Sequence, residues 1–376
     1  MNFNELPFDS DQMVEGLRPW IECESPTYDA AAVNRMMDIA AYDLAAMGAT
    51  IERIPGRQGL GDAVRARFAH EKAGQPGILI AGHLDTVHPM GTLNQLPFRR
   101  EGNYCWGPGI QDMKSGNYLS LEAIRQLQRA SINTPLPITV LFTPDEEIGT
   151  PATRELIEVT ASQNRYVLVP EPAAAGGAAV WGRYAIARFN LQTTGVPVHA
   201  GVDPRRGHSA VREMAKRLIQ IEDMSTDDCT FSVSVINGGQ WVNCVSSVCT
   251  AQALSMAKHQ KDLDAGVEKM MALNDSSSDV QFHVTRGVTR PVWEPNEGSK
   301  ALHHHAEGLA RDLGFELPAV MAGGGSDANF TGAMGIPSLD SIGVRGYDLH
   351  TLNEHIEIDS LAERGKLMAG LLATLS

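Results

Sequence analysis

The chain has 376 residues, with 45 Asp and Glu against 31 Lys and Arg, a formal charge of −14. That length exceeds one typical core, so two domains are expected, and the balance of 43% hydrophobic and 20% charged residues is that of a soluble globular enzyme. The acidic surplus argues against a nucleic-acid partner, whose phosphates it would repel. Five scattered cysteines without a CxxC pair indicate a reduced compartment rather than a disulfide framework. The opening MNFNELPFDSDQM carries neither the basic nor the apolar region of a secretory signal. A cytoplasmic protein with no membrane span is therefore expected.

In chain order, Gln12–Cys23 and Ala30–Met47 have helical spacing and Asp62–His70 alternates as a strand. Gly77–Val87 is a buried apolar run, Asn117–Arg129 a helix, and Ile138–Gly149 and Arg165–Pro172 two more buried runs. Strands alternating with helices predict an α/β fold, a mostly parallel sheet flanked by helices. The pattern then changes. Arg183–Thr194 reads as a strand, Ser209–Met224 as a helix, Thr230–Ile236 and Ser246–Ala257 as strands, Leu263–Leu273 as a helix and Val280–Thr289 as a strand. This β-α-β-β-α-β order predicts an inserted ferredoxin-like α+β domain over residues 183–289, interrupting a catalytic domain of 1–182 and 290–376. A helix near Ser299–Leu313 leads to a fourth buried run, Pro337–His350.

The apolar runs stop at chemistry. The first ends on His83 and Asp85, the second on Glu146 and Glu147, the third on Glu171, and the fourth leads to His350. Ligands in open α/β sheets lie beyond the carboxyl ends of the strands. As an H-x-D pair at a strand end, His83 and Asp85 are expected to point the same way. Adjacent glutamates at a buried strand end repel unless a cation or proton is present. Asp112, after the glycine-rich turn in GPGIQDMKSG, reads equally as a helix N-cap and as a rigidly held ligand. His303–His305 falls in a polar helix and is expected to be solvated surface. Two histidines, one aspartate and three glutamates suit two divalent ions with a shared water, zinc first and Mn²⁺ or Co²⁺ next.

HLDTV, GPGIQDMKSG, TPDEEIG, VPEP, VHAG, GGGSDAN and the terminal histidine together resemble the dinuclear zinc amidohydrolase and metallopeptidase family. Its members include aminoacylase, acetylornithine deacetylase, succinyl-diaminopimelate desuccinylase and bacterial glutamate carboxypeptidase, and the last third of the chain resembles the last of these most. The resemblance implies His83 and Glu171 on one ion, Glu147 and His350 on the other, and Asp112 bridging both, with a cis Asp112–Met113 peptide. It also implies Asp85 as the support of His83 and Glu146 as general base. His199 in VPVHAG would reach across a homodimer formed through the inserted lid. Arg286, Asn243 and Gly324 would hold the substrate and its carboxylate.

The implied reaction is hydrolysis of the amide C–N bond of an N-acyl amino acid or small peptide by a metal-activated water. Two departures bear on the substrate. The lysine that glutamate carboxypeptidase carries after its metal-binding glutamate is replaced by AAAGGAAVWGR, and Ala251–Leu254 reads AQAL where relatives read ADVR. Arg183 could substitute for the lysine, and Trp181, Trp241 and Trp293 suggest a larger or aromatic acyl group. The alternatives are the same dinuclear site acting on a non-peptide C–N bond, such as an aromatic amine or carbamoyl compound, and a catalytically silent binding protein.

Overall fold

The computed structural model describes residues 2–202 and 204–376. The chain forms two compact units, one of Met1–Gly182, Glu294–Ala322 and Ser326–Ser376, the other of Arg183–Trp293 with Gly323–Gly325. The first begins with α1 (Ser10–Glu22), α2 (Ala30–Ala46), β1 (Thr50–Ile54), β2 (Ala63–Arg67) and β3 (Gly77–His83). It continues through β4 (Arg99–Glu101), β5 (Tyr104–Trp106), α3 (Ser115–Arg129), β6 (Ile138–Thr143), α4 (Arg154–Ser162), β7 (Asn164–Val169) and β8 (Ala179–Arg183). The second unit supplies β9 (Ala185–Thr194), α5 (Ala210–Glu222), β10 (Cys229–Gly238), β11 (Val248–Ala257), α6 (Gln260–Ala272) and β12 (Gln281–Arg290). The chain returns to the first unit with α7 (Glu297–Leu313), β13 (Ala319–Ala322), α8 (Ala328–Ala333), β14 (Ser338–Asp340), β15 (Gly346–Tyr347), β16 (His355–Glu357) and α9 (Asp359–Thr374).

The main sheet of the first unit has the order β1-β2-β6-β3-β7-β14-β8-β13. Its centre, β6-β3-β7-β14, is parallel, while β2 runs antiparallel to β6, β1 to β2 and β8 to β14. Every residue of β3 is buried, as its unbroken apolar run requires when both faces are covered. Two glycines permit close approaches that shape the site. A Cβ on Gly82 would lie 2.0 Å from the Asn117 Oδ1, and one on Gly116 only 1.8 Å from the Pro170 carbonyl oxygen. The start of α3 is thereby drawn against both β3 and the segment after β7. A small separate sheet, β15-β16-β5-β4, carries the chain past His350.

The second unit is a four-stranded antiparallel sheet of order β10-β11-β9-β12, the ferredoxin-like arrangement. Alternate residues of β9 are buried, and Phe189, Leu191, Met214, Ile221, Phe231, Leu263, Met270 and Phe282 form a core of their own with α5 and α6. Ser209 caps α5 by accepting from Arg212 N.

Several expectations are corrected. The strand expected over 183–194 starts two residues later, as β9 at Ala185, because Arg183 closes β8 and exchanges backbone hydrogen bonds with Trp293, both 2.9 Å. The fourth buried run gives the main sheet only the three-residue β14; its later part forms β15 of the small sheet, and β16 follows His350. Helices α4 and α9 carried no sequence expectation. In α9 buried residues lie on every side, Leu361, Leu367, Met368, Ala369, Leu371 and Leu372 among them, so no apolar stripe marks its period. No helix among the described residues is long and apolar enough to cross a membrane.

Candidate metal centre

The parallel strands end at one edge and each hands a side chain to it. β3 ends on His83 itself; β6 is followed by a tight turn over Glu146–Ile148, and β7 by Glu171. Asp85 lies beyond the end of β3, in the following loop, so strand alternation does not orient it. Asp112 is not an N-cap. It sits in an irregular turn, Ile110–Lys114, with extended φ/ψ of −114° and 98°, three residues before α3. The Asp112–Met113 peptide is cis. His350 occupies the loop between β15 and β16 with a left-handed φ of 64°.

Asp112 is the centre of the cluster. Its Oδ1 lies 3.1 Å from His83 Nε2 and its Oδ2 3.1 Å from His350 Nε2. His350 Nε2 is also 3.3 Å from Glu147 Oε2, while His83 Nε2 is 3.7 Å from Glu171 Oε1 and 4.0 Å from Glu146 Oε2. One ligand atom from each of His83, Asp112 and Glu147 falls within 4.8 Å of the others. On the far side of its ring, His83 Nδ1 is 3.0 Å from the Asp85 main-chain oxygen and 3.4 Å from its carboxylate. The Asp85 carboxylate in turn accepts the backbone N–H groups of Glu146 (3.1 Å) and Glu147 (3.3 Å). One buried aspartate thus orients the first ligand and the turn holding two acids.

The electrostatics show what the cluster lacks. Burial raises the Glu147 carboxyl, and the Asp112 charge raises it further; Glu171 is pushed well above the usual carboxylate range by the same two causes. Burial alone would lower the His83 imidazole, but its bonds to Asp112 and Asp85 and the charges of Glu171 and Glu146 raise it well above the ordinary value. His350 is raised to about 10 by its bonds to Asp112 and Glu147. Despite burial, Asp112 is held low by both imidazoles. Bare side chains would therefore need protons between these acids and imidazoles, the role a divalent cation fills when neutral imidazole and ionised carboxylate act as ligands. Among the described residues, Glu147 Oε1 is buried with no hydrogen-bond partner, which also fits a cation. His83, Glu171, Asp112, Glu147 and His350 together offer the imidazole and carboxylate donors that a divalent cation takes.

The remaining expected site residues lie in the second unit. The His199 segment pairs with that of Asn243: Ala200 N donates to the Asn243 carbonyl (2.9 Å), and His199 bridges Cys244. Arg286, exposed on β12 beside a register shift, donates from Nε to Thr289 Oγ1 at 3.0 Å. The Gly324 carbonyl accepts from Arg183 Nη1 at 2.7 Å. Among the tryptophans, Trp293 is fully buried, Trp181 stands edge-on to His303 and Trp241 is exposed. His303 is not surface: it is buried and bonded to the Leu317 carbonyl at 2.8 Å, whereas His304 and His305 are exposed.

Sequence reasoning missed Glu354, His88, Thr27 and Asn117. Asn117 Nδ2 donates to the His83 carbonyl at 2.6 Å, and Thr27 Oγ1 to Asp85 Oδ2 at 2.7 Å. His88 closes the segment that begins with His83, and Glu354 follows His350 by one helical turn's length of chain. Those proximities were the only signals.

A family model described as peptidase family M20/M25/M40 matches residues 79–374. Carboxypeptidase G2 of Pseudomonas sp. (strain RS-16) is 30% identical over 375 residues, covering 96% of this chain and 89% of that protein. A succinyl-diaminopimelate desuccinylase of Nitrosospira multiformis is 26% identical over 353 residues, covering 87% of this chain and 89% of that protein. The solved structure of aminopeptidase PepT from Bacillus cereus shares the fold, with a TM-score of 0.74 at 22% identity over 97% of this chain and 98% of that one. The chain thus belongs to peptidase family M20/M25/M40 and is a metal-dependent hydrolase of amide C–N bonds.

Proposed function

We propose that this enzyme hydrolyses an N-acyl amino acid or small peptide with a free carboxylate, using two divalent ions held by His83, Asp112, Glu147, Glu171 and His350. The observation that carries this reading is the placement of His83 and His350 on opposite oxygens of Asp112, 3.1 Å on each side. Zinc best matches the mixed imidazole and carboxylate donors, with Mn²⁺ or Co²⁺ next.

When bound, the ions lower the pKa of a water toward about 7 and polarise the substrate carbonyl. Glu146 is the general base: it takes a proton from the attacking water and passes it to the leaving nitrogen. Its backbone is pinned by Asp85, which leaves its carboxylate at the margin of the cluster. Asp85 keeps the His83 ring oriented toward Asp112. From the second unit, Arg286 offers a planar fork suited to the substrate carboxylate, with Asn243 and Gly324 as further contacts. That unit is the lid and the dimerisation element, and His199 acts in the active site of the partner subunit. Cytoplasmic residence belongs to the same proposal, supported by five unpaired thiols.

A second reading keeps the centre and attacks a carbamoyl or other non-peptide C–N bond. It is favoured by the two departures noted in the sequence, the lysine-free stretch AAAGGAAVWGR after Glu171 and AQAL at Ala251–Leu254 where the resemblance leads one to expect ADVR. The experiment is an assay of the Zn²⁺-, Co²⁺- or Mn²⁺-reconstituted enzyme against N-acyl amino acids, dipeptides, pteroylglutamates and N-carbamoyl amino acids. Cleavage within the first three classes is expected. Turnover of the carbamoyl compounds alone would favour the second reading, and no turnover of any class would refute both.

A further inference from the structure

Glu354 is buried to 0% exposure, and its carboxylate takes no part in the chemistry just described. Four donors converge on it. Oε1 accepts from the backbone N–H groups of Gln111 (2.8 Å) and Asp112 (3.1 Å). Oε2 accepts from Gly109 N (3.1 Å) and lies 2.6 Å from His88 Nε2. The Glu354 main-chain oxygen also accepts from Gly107 N at 3.4 Å.

These donors are not arbitrary. The turn over Ile110–Lys114 departs from helical geometry at Asp112 and Met113, so the N–H groups at its start have no helical carbonyls to bond. An unsatisfied buried N–H is costly, and three of them would oppose the backbone path that aims Asp112 between two imidazoles. A carboxylate is acceptor-only and can serve several donors on two oxygens. Glu354 also lies four residues beyond His350, and His88 three residues beyond Asp85. The segment after His83, the turn that carries Asp112 and the loop that carries His350 therefore meet at one buried carboxylate.

We propose that Glu354, with His88, is the positioning hub of the metal centre. It sets the spacing of His83, Asp112 and His350 and so determines how tightly the ions are held. The inference rests on the metal-dependent reading of the site but not on any choice of substrate. Neither side chain reaches the imidazole or carboxylate atoms assigned to the ions; both act through the backbone and the loops.

The test is read without turnover. Zn²⁺ affinity is measured by competition with a chromophoric chelator, and ligand geometry by the visible spectrum of the Co²⁺-loaded protein, on the full chain and on variants whose metal-free fold is checked by circular dichroism. Glu354→Ala is expected to weaken Zn²⁺ binding about 10–100-fold, the usual range for partners of metal ligands, and to shift the Co²⁺ bands. His88→Gln keeps a donor for Glu354 and His88→Leu does not. The first should bind Zn²⁺ within about twofold of wild type and the second at least about fivefold more weakly. Equal affinities in the two His88 variants would overturn the proposal, as would wild-type affinity in a folded Glu354→Ala. If Glu354→Ala does not fold, the His88 pair decides. Tight Zn²⁺ binding without cleavage of any amide would count against the proposed substrate and leave the hub standing, whereas a wild type that binds no ion would sink both.

Discussion

Thr27 donates its hydroxyl hydrogen to Asp85 across 58 residues of sequence, at 2.7 Å and with both side chains buried. Ser25 beside it donates to the Leu84 carbonyl at 2.6 Å, and Lys114 Nζ reaches back to the carbonyls of Trp20 (3.0 Å) and Cys23 (2.8 Å). The stretch from α1 to α2 thus braces the metal cluster although the family model begins only at residue 79. Thr27→Val is nearly isosteric and removes only the donor. Asp85 would keep its two backbone donors, so a loss of about 1–2 kcal/mol is expected. Urea denaturation of the metal-free protein would register it, and a change within error would show that the hydroxyl bond contributes nothing.

Glu146→Ala separates binding from proton transfer. The five assigned ligands remain, so metal content should stay near two ions per subunit by elemental analysis. Turnover should fall by about two to four decades, the contribution of a general base. Normal turnover in that variant would remove the assignment.

His199→Ala should lower kcat with metal content and the melting temperature unchanged, because the side chain is exposed and, among the described residues, its one side-chain hydrogen bond comes from Gly201 N at 3.2 Å. Mixed dimers of His199→Ala and Glu146→Ala subunits give a sharper test. If each histidine serves the other subunit, one of the two sites in the mixed dimer has all its parts and activity reappears. Absence of recovery in verified mixed dimers would exclude a role across subunits.

Lys114 carries a pH prediction. Burial lowers its ammonium pKa to about 8, against attraction from Cys23, Glu354 and Glu24. Between about pH 8 and 10.5 the unfolded chain holds this proton more firmly than the native state, so the residue's contribution to stability rises with pH across that window. The stability of wild type relative to Lys114→Met should increase by up to about 1.4 kcal/mol per pH unit there. A pH-independent difference in urea denaturation would show that Lys114 does not titrate in that range.

Much of the site was legible because strands are short and directional. His83, Glu146, Glu147 and Glu171 follow apolar runs, and a run covered on both faces must release its first polar residues at the sheet edge. The ferredoxin-like unit was legible for a related reason: with one face of its sheet covered, β9 and its neighbours alternate at period two. Helix α9 was not, since burial on every side erases the period. Asp112 stood open between cap and ligand because both roles favour a small acid after a glycine turn. Its place three residues before α3, with both carboxylate oxygens turned to imidazoles, decided between them.

The sequence by itself determined most of the amphipathic and buried-strand elements, the candidate ligands at the strand ends and the insertion of one α+β unit into an α/β one, because periodicity and chain order are local properties. The tertiary structure alone decided that Asp112 stands between His83 and His350, 29 and 238 residues away. It likewise decided that Glu354, His88 and Thr27 brace the loops between them. Those contacts leave no trace in local pattern. They exist because buried N–H groups and carboxylates must find partners wherever the closed chain brings them.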